Sequence, residues 1–415
     1  MVRREDITLS PRDRKFGTFL LFSALIFYYV RPQEFIPGLD AIPIAGAFVY
    51  GCSLWGLFHL RKAVFRTPIV IVLVIGIIVS LSAIGATNVN ALKASIFHIF
   101  QLFPLCVTMY ILTDTSNRLD RLLQLWLVIY FFVAVITIAR GGLGPGNFVL
   151  DPNDTSLALA MGLPYFVYLA QSKKMSQRHR WLLRMAAIIV VVAIVSTRSR
   201  GGFVGLAGVV LAFWWLSRQR IKLAIISIVA VSVFGGIMLS ILPDDYQREI
   251  VSIVDDESST RVERLRTWEI AWLMYKDNPV IGVGAGNFMY NAATYQRQTS
   301  WWTDHEKSLQ GRVTHSVYFQ IISELGTVGA IAFGFIMFVS PLRLYGRRNK
   351  LVREKQLGSR TYLHYQILMV SMGAFLLSGA FISVAYYPHL AVWITMYSLV
   401  IEGAQEEKKS SVGAV

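Results

Sequence analysis

The sequence is poor in cysteine and in charge. It has two cysteines in 415 residues, and charged residues make up only 16% of it. Cys52 and Cys106 lie in separate apolar runs, so a disulfide scaffold is excluded and we expect both to pack without a bridge. A disordered chain is also excluded, because the sequence is neither polar nor of low complexity. A soluble domain would have about one-quarter charged residues, so a soluble enzyme with one core is a poor fit.

The sequence also lacks the motifs of the common cofactor and metal sites. His98, His305 and His389 have no neighbouring histidine at the spacing of metal ligands, and the carboxylates of residues 244–257 are expected to be solvated. There is no phosphate-binding P-loop and no recognisable Ser-His-Asp arrangement. The glycines of residues 282–287 lie outside any βαβ unit, so they predict a tight loop that passes close to other backbone. We therefore predict an activity without a cofactor or a bound metal.

Long apolar runs are present instead. Hydrophobic residues make up 54% of the chain, and the mean hydropathy is +0.51. Runs of membrane-spanning length recur from end to end, which predicts an all-α, polytopic integral membrane protein. The first run follows a basic start and lacks a cleavage site, so we expect it to stay as a span. Twelve spans are predicted, at about 16–31, 42–60, 68–86, 91–113, 120–140, 155–171, 181–197, 202–217, 221–242, 316–341, 362–384 and 388–402.

One long hydrophilic segment divides the chain. Residues 1–242 contain predicted spans 1–9, residues 243–315 form a long loop with an amphipathic helix, and residues 316–415 contain spans 10–12 and a tail. Basic residues concentrate in alternate connections, so the positive-inside rule predicts cytoplasmic termini and a periplasmic long loop. The net charge of +15 is therefore a topology signal. Because it is spread over short loops, we predict membrane lipids and no nucleic acid as partners.

Two arginines, Arg198 and Arg200, stand at the outer end of span 7, directly before Gly201 and Gly202. An arginine at membrane depth is costly and usually faces a polar cavity or a partner. A guanidinium matches phosphate oxygens with two hydrogen bonds, and the glycines let a ligand or another backbone approach. The pair predicts a phosphate clamp, although arginines that only anchor a helix at the interface have the same pattern.

Residues 258–277 have the pattern of an amphipathic helix that ends at Asn278-Pro279. One face is aromatic and apolar, and Arg261 and Arg264 fall on or beside it, while Arg266 lies off it. This face predicts a helix along the membrane interface. The pattern fits a helix that contributes arginines to a site and equally one that only rests on the membrane. The face consists of Leu265, Trp268, Trp272 and Tyr275.

Three further segments carry ionisable or turn-forming groups. His315 stands where the long loop enters span 10, and this position suits either a general base or a residue that caps the helix. Glu324 lies further along the same apolar run. An intramembrane carboxylate needs a partner, and we expect Arg200 or His315. Residues 151–154, Asp-Pro-Asn-Asp, predict a turn and an N-cap before span 6, with a metal site as the weaker alternative.

Taken in order, these segments resemble the O-antigen ligase and polymerase superfamily over about residues 150–330. The resemblance implies a GT-C-like helical fold. It also implies a glycosyltransferase of the bacterial inner membrane that moves a glycan from undecaprenyl diphosphate to an acceptor hydroxyl on the periplasmic side. The segments that carry the resemblance are residues 151–154, Ser199-Arg200-Gly201-Gly202, residues 264–268, residues 279–284, residues 315–318 and Glu324-Leu325-Gly326 with Gly329.

The resemblance further implies which residues act. Carried over by position, the catalytic residues are Arg200, Arg264 and His315. The sequence leaves open which arginine of residues 261–266 meets the diphosphate. The other candidates for contact with substrate are Arg198, Arg261, Arg266, Tyr318, Glu324 and Asn153.

The chemistry of such a donor agrees with these residue types. The departing diphosphate gains negative charge, which arginines stabilise, while a histidine can take the proton of the attacking hydroxyl. A direct displacement would invert the anomeric centre. Arginines would take the charge-neutralising role of a metal, and the first outer loop has only the separated Glu34 and Asp40 rather than an acidic pair.

The preferred hypothesis is an O-antigen ligase whose acceptor is lipid A-core. A polysaccharide polymerase, whose acceptor is a second lipid-linked glycan, and a protein O-glycosylation ligase are alternatives of the same class. A flippase or transporter of lipid-linked glycans is the alternative from another class. The charged candidates cluster at the outer face rather than the midplane, and the long loop lies on one side only, which favours transfer over transport.

Overall fold

The structure, a computed structural model, describes residues 9–39, 42–60, 67–146, 149–172, 175–217, 219–222, 225, 259–303 and 305–412. Every regular element within these ranges is a helix, in agreement with the predicted all-α class. Almost all of the predicted ninth span and the carboxylates of residues 244–257 lie outside the described residues. Cys52 and Cys106 are buried and form no bridge, as predicted.

We number the α-helices of the described ranges in chain order. Short 3-10 helices occur at Pro32–Glu34 and Ser82–Gly85, and a π-helical segment at Phe335–Val339. The α-helices are α1 Pro11–Tyr29, α2 Ile44–Phe58, α3 Thr67–Leu81, α4 Val89–Leu112, α5 Ser116–Ala139, α6 Pro152–Leu169, α7 Gln177–Ser196, α8 Arg200–Leu216, α9 Ser259–Asp277, α10 Phe288–Gln296, α11 Val317–Gly334, α12 Ser340–Arg353, α13 Arg360–Gly379 and α14 Pro388–Val412.

Several helices have the length and composition to cross a membrane. Large apolar side chains such as Phe19, Leu54 and Ile77 are exposed on the bundle, which suits contact with lipid. These features confirm an all-helical protein with candidate membrane spans, while the count of twelve spans and the GT-C-like arrangement stay predictions. Long enough to span are Pro68–Gly85, Val89–Leu112, Ser116–Ala139, Gln177–Ser196 and Val317–Arg353, and Ile44–Phe58 and Arg200–Leu216 are apolar but shorter.

The last third of the chain differs from its predicted boundaries. The tenth span was predicted to end near residue 341, but α11 continues through the π-helical segment into α12 and ends at Arg353. The helix persists because Leu344 and Arg348 are buried where α12 packs against α13, so the basic residues between them lie on a helix. Conversely, α13 ends at Gly379, earlier than predicted, and α14 extends to Val412.

Helix α6 occupies the centre of one half of the bundle, against α5, α7, α8 and α13. Its side chains from Asp154 to Phe166 are all buried. The glycines of α8 allow it to lie close to its neighbours: a Cβ at Gly202 would be 2.6 Å from Ser156 Cβ, and one at Gly205 would be 2.1 Å from Ser378 Oγ. This close packing brings the beginning of α8 next to the beginning of α6.

Helix α11 is interrupted at Gly326, whose φ of 60° and ψ of −158° are not helical. The interruption frees carbonyl groups, and the glycine loop that follows α9 uses them: Val283 N–H donates to Ser323 O at 2.9 Å and Gly284 N–H to Glu324 O at 3.1 Å. A Cβ at Gly282 would be 2.3 Å from the carbonyl carbon of Glu324. The predicted tight loop close to other backbone is thus confirmed, and it fixes α9 beside α11.

Candidate functional site

The candidate residues gather at the end of the bundle where α6 and α8 begin. Ser199 is the N-cap of α8, because its Oγ accepts a hydrogen bond from Gly202 N at 2.9 Å. The same Oγ donates to Asn153 Oδ1 at 2.6 Å. Asp151 caps α6 through Asn153 N at 2.8 Å, which confirms the predicted N-cap. Asn153 therefore contacts the residue that directly precedes Arg200.

The backbone adopts an unusual conformation at two of the candidate residues. Arg198 has φ of 53° and His315 has φ of 48°, a region that non-glycine residues seldom occupy. The flanks of His315 hold it there: Thr314 and Ser316 are each 1% exposed, and Thr314 Oγ1 lies 2.8 Å from Ser383 Oγ. Strained backbone that its surroundings enforce is common at functional sites, so these two positions deserve a functional test.

Side chains of helix α9 form hydrogen bonds with the backbone of Thr314, the residue before His315. Thr314 O accepts hydrogen bonds from Trp268 Nε1 at 3.0 Å and from Thr267 Oγ1 at 3.3 Å. The Trp268 ring also stacks on Phe319, with centroids 5.3 Å apart. Arg264 lies one helical turn before Trp268, so these contacts bring its guanidinium to the same end of the bundle as His315.

This attachment corrects the predicted membrane face of α9. Leu265 and Trp272 are exposed, as an interfacial helix requires, but Trp268 turns into the protein. Helical periodicity placed Trp268 with the other aromatic residues on one lipid-facing side. Periodicity alone cannot show that the indole N–H of Trp268 donates to the Thr314 carbonyl group. The buried side of α9 consists instead of Thr267, Ile270, Ala271 and Met274.

Arg264 is a half-buried cation in repulsive surroundings. Its Nε is buried and has no hydrogen-bond partner among the described residues. Its guanidinium carbon lies 5.7 Å from the centroid of the Phe381 ring, a contact of cation–π type. Burial lowers the pKa of Arg264, and the positive charge of Arg200 lowers it further, while Glu263 opposes this. The positive charge of Arg200 therefore disfavours the charged form of Arg264.

The pKa of His315 depends on its burial and on nearby charges, including that of Arg264. Burial lowers the pKa of His315 below the ordinary imidazole value, and the positive charge of Arg264 lowers it further. Arg312 acts in the same direction with a smaller effect, and Glu263 and Asp151 oppose it. A lowered pKa keeps the imidazole neutral at neutral pH, the form in which it can accept a proton.

The remaining arginines of α9 have other surroundings. Arg266 forms a two-point ion pair with Glu306, with Nη1–Oε2 at 2.8 Å and Nη2–Oε1 at 2.9 Å. Its guanidinium carbon also lies 4.3 Å from the centroid of the Trp301 ring. Arg261 is exposed on the surface of the helix. Of the three arginines whose roles the sequence left open, Arg264 is the one beside Arg200 and His315.

Glu324 does not have the partners that we expected. Its carboxylate accepts hydrogen bonds from Gly286 N at 3.0 Å, Phe288 N at 3.2 Å and Tyr386 OH at 2.7 Å. The expectation of Arg200 or His315 was wrong because the glycine loop returns to α11 and supplies backbone donors. Glu324 thus anchors this loop and the start of α10 rather than a cation.

Tyr318 also has a partner within the bundle. Its hydroxyl donates to Leu376 O at 2.7 Å, and its ring stacks on Phe338 with centroids 6.5 Å apart. These contacts join α11 to α13 and to the π-helical segment, so the side chain is engaged in packing.

The connection between α13 and α14, residues 380–387, contacts α9, the residue before His315 and the beginning of α6, and sequence reasoning missed it. Phe381 lies under Arg264, and Ser383 bonds to Thr314. Tyr387 OH donates to the buried carboxylate of Asp154 at 3.3 Å. The available signal was the adjacent pair of tyrosines just before Pro388, which interrupts the apolar pattern between the last two predicted spans.

Within the parts of the chain that the structure describes, no set of three or more His, Cys, Asp or Glu side chains comes together as a metal site would require. In the first predicted outer loop, Glu34 forms an ion pair with Arg31. Asp40 lies outside the described residues.

The geometry defines a class: a helical membrane protein with two arginines and a histidine gathered at one end of its bundle. Comparison with known families then gives a match of residues 185–334 to the O-antigen ligase family. This match confirms the resemblance over that segment, which contains Arg200, α9 and His315 but not Asn153. It is broadly consistent with a glycosyltransferase-like enzyme of the ligase and polymerase type. No curated protein matched the sequence.

Proposed function

We propose that the protein is an O-antigen ligase that transfers a glycan from undecaprenyl diphosphate to a hydroxyl of lipid A-core. The family match of residues 185–334 supports this class of reaction. In the proposal the enzyme resides in the bacterial inner membrane with both termini in the cytoplasm. Its site opens to the periplasm, the side that the distribution of basic residues predicts for the long loop.

One observation carries the proposal: the α13–α14 connection contacts Arg264 through Phe381, Thr314 through Ser383 and Gly201 through Ile382, so Arg264, His315 and Arg200 share one end of the bundle. The positive charge of Arg200 also lowers the pKa of Arg264, and that of Arg264 lowers the pKa of His315. Two guanidinium groups that repel each other are stabilised when an anion binds between them. A diphosphate has the charge and the oxygen geometry for this role, since guanidinium binds phosphate oxygens at two points. In the proposal, the two cations and the base are held together before substrate arrives.

The transfer step follows from this arrangement. The acceptor hydroxyl oxygen forms a bond to the anomeric carbon while the bond from that carbon to the diphosphate oxygen breaks. The electron pair of the broken bond stays on the diphosphate, where Arg200 and Arg264 stabilise it. His315 takes the hydroxyl proton. Attack opposite the leaving group inverts the anomeric centre, and the arginines take the charge-neutralising role without a metal.

The other candidate residues have supporting roles in the proposal. Asn153 positions Arg200 through Ser199, and Arg198 and Arg261 lie on the exposed side where donor headgroups arrive. Arg266, Tyr318 and Glu324 are assigned to the packing of the loop and α11, because each is engaged by a protein partner.

The decisive experiment supplies the purified protein with an undecaprenyl-diphosphate glycan and, separately, with lipid A-core or with more of the same glycan lipid. Glycosylated lipid A-core supports the ligase. A lengthened glycan on the lipid carrier, with lipid A-core unmodified, would replace the ligase by the polymerase. Proteoliposomes that move the glycan lipid across the bilayer without forming either product would support a transporter and contradict the proposal.

A further inference from the structure

A cavity of about 260 Å³ lies at the opposite end of the bundle from the candidate site, where α1 begins, α4 ends and α5 begins. Helix α5 has 24 residues and so extends about 36 Å from this cavity toward the loop that precedes α6. The rim of the cavity is basic, with Arg14, Lys15, Arg118 and Arg121, and its wall includes Leu21 and Leu122.

The charges of this cavity are unbalanced. Arg14 Nη1 donates to Asp114 Oδ2 at 2.7 Å, and Arg118 bonds to the other oxygen of the same carboxylate. One carboxylate thus orients two guanidinium groups. Lys15 and Arg121 form no ion pair within the described residues, so four cations face one anion.

Two further carboxylates of α1 and α5 within the described residues have partners of their own. Asp120 precedes Arg121 on α5, but it pairs with Arg360 and is also close to His364. Asp13 on α1 accepts a hydrogen bond from Ser10 Oγ at 2.7 Å. Neither carboxylate lines the cavity, so among the described residues the cations that line it outnumber the carboxylates that meet them.

We propose that this cavity binds the phosphate of an anionic phospholipid headgroup. Oriented guanidinium groups and a lysine at a helix end recognise phosphate by charge and by hydrogen bonds. Basic pockets between membrane helices suit anionic headgroups. The apolar side chains beneath the rim favour a lipid over free phosphate, because they would cover the beginning of its acyl chains.

A purely topological role for these basic residues gives a different expectation. Charges that only orient the chain in the membrane need no cavity, and Arg12, exposed on the same turn of α1, would serve as well as Lys15. Arg12→Gln is therefore the matched control for Lys15→Gln, since both remove one charge from the beginning of α1.

The test measures binding of phosphatidylglycerol, dye-labelled on an acyl chain, to the full-length protein in a neutral detergent. Saturable binding is expected, with none of phosphatidylcholine. Lys15→Gln and Arg121→Gln should each weaken it about fivefold and Arg12→Gln much less. Thermal unfolding of the variants without lipid checks that they are folded.

Three results would overturn the proposal. Equal weakening by Arg12→Gln and Lys15→Gln would show that positive charge anywhere at this end of the protein is sufficient. Equal binding of phosphatidylcholine, whose choline group cancels the phosphate charge, would show that the cavity does not select an anionic headgroup. Displacement of phosphatidylglycerol by an equal concentration of inorganic phosphate would assign the cavity to free phosphate instead of a lipid.

Discussion

Arg264 and Arg266 stand two residues apart on α9, and their surroundings are opposite. Arg266 forms a two-point ion pair with the Glu306 carboxylate, and its guanidinium group also lies over the Trp301 ring. Arg264 has a buried Nε without a partner among the described residues and is destabilised by Arg200. The difference indicates that Arg266 stabilises the loop, whereas the surroundings of Arg264 become favourable when an anion binds.

The largest effect is expected next to Arg264, at the proposed base. His315→Ala should lower turnover by about 10²- to 10⁴-fold while donor binding persists, because only proton transfer is lost. Turnover, donor affinity and thermal stability are measured on the same purified protein. His305→Ala, which removes an exposed histidine of the same loop, is the control and should be nearly silent. A variant that loses stability but keeps its turnover would show that His315 only caps α11.

Arg200 comes next in expected effect. Arg200→Ala should weaken donor binding and lower turnover by about 10²- to 10³-fold, as expected for the loss of one stabilising group of a leaving anion. Arg200→Lys should also be poor, because an ammonium group cannot form the planar two-point contact. Donor affinity and turnover of the folded variants give the answer.

The control for Arg200 is Arg347→Ala, which removes an exposed charge from α12. Arg348 would be unsuitable, because it is buried and donates to Leu216 O. Normal donor binding by folded Arg200→Ala would contradict the proposed contact with the diphosphate.

The comparison on α9 can be tested directly with Arg264→Gln and Arg266→Gln. Arg264→Gln should lower turnover by about 10- to 100-fold, the value of a hydrogen bond to a charged group. Arg266→Gln should instead lower stability by about 1 kcal/mol or less, because its ion pair is partly exposed, and leave turnover per folded molecule unchanged. If Arg266→Gln proved the more damaging variant for turnover at equal folding, the two roles would have to be exchanged.

A smaller effect concerns pH. Turnover should fall on the acid side as His315 becomes protonated, at a lower pH than for an ordinary imidazole, because burial and Arg264 lower its pKa. Arg264→Gln removes the repulsion, so the acid limb of the residual activity should move to higher pH. The pH profiles of wild type, Arg264→Gln and Arg266→Gln are compared, and only the second should move. An unmoved limb would mean that Arg264 does not act on the group that titrates.

The smallest expected effect is that of metal removal. Because arginines take the charge-neutralising role, activity in excess EDTA should equal activity in magnesium. Loss of activity on chelation and its return with magnesium or manganese would contradict this and direct attention to Asp151 and Asp154, the two carboxylates where α6 begins.

Local features could be predicted from the sequence, because their causes are local. The apolar runs, the N-cap at Asp151, the bounds of α9 and the close approach of the glycine loop follow from neighbouring residues. The partners of Arg266 and Glu324 could not be predicted, because each lies more than thirty positions away and no spacing rule relates them. The α13–α14 loop was missed for a similar reason. The partners of its aromatic and hydroxyl groups, which include Arg264, Thr314 and Asp154, are distant in the sequence.

The interruption of α11 at Gly326 has a consequence for protein engineering. The segment after α9 and the middle of α11 share one set of backbone hydrogen bonds, in which Val280 O accepts from Val328 N and Ser323 O from Val283 N. A chimaera that exchanged the loop alone would separate these partners, even if both junctions were placed in the connections between helices, where exchanges usually disturb the fold least. The unit of exchange between relatives is therefore the loop together with the first two-thirds of α11, up to at least residue 328.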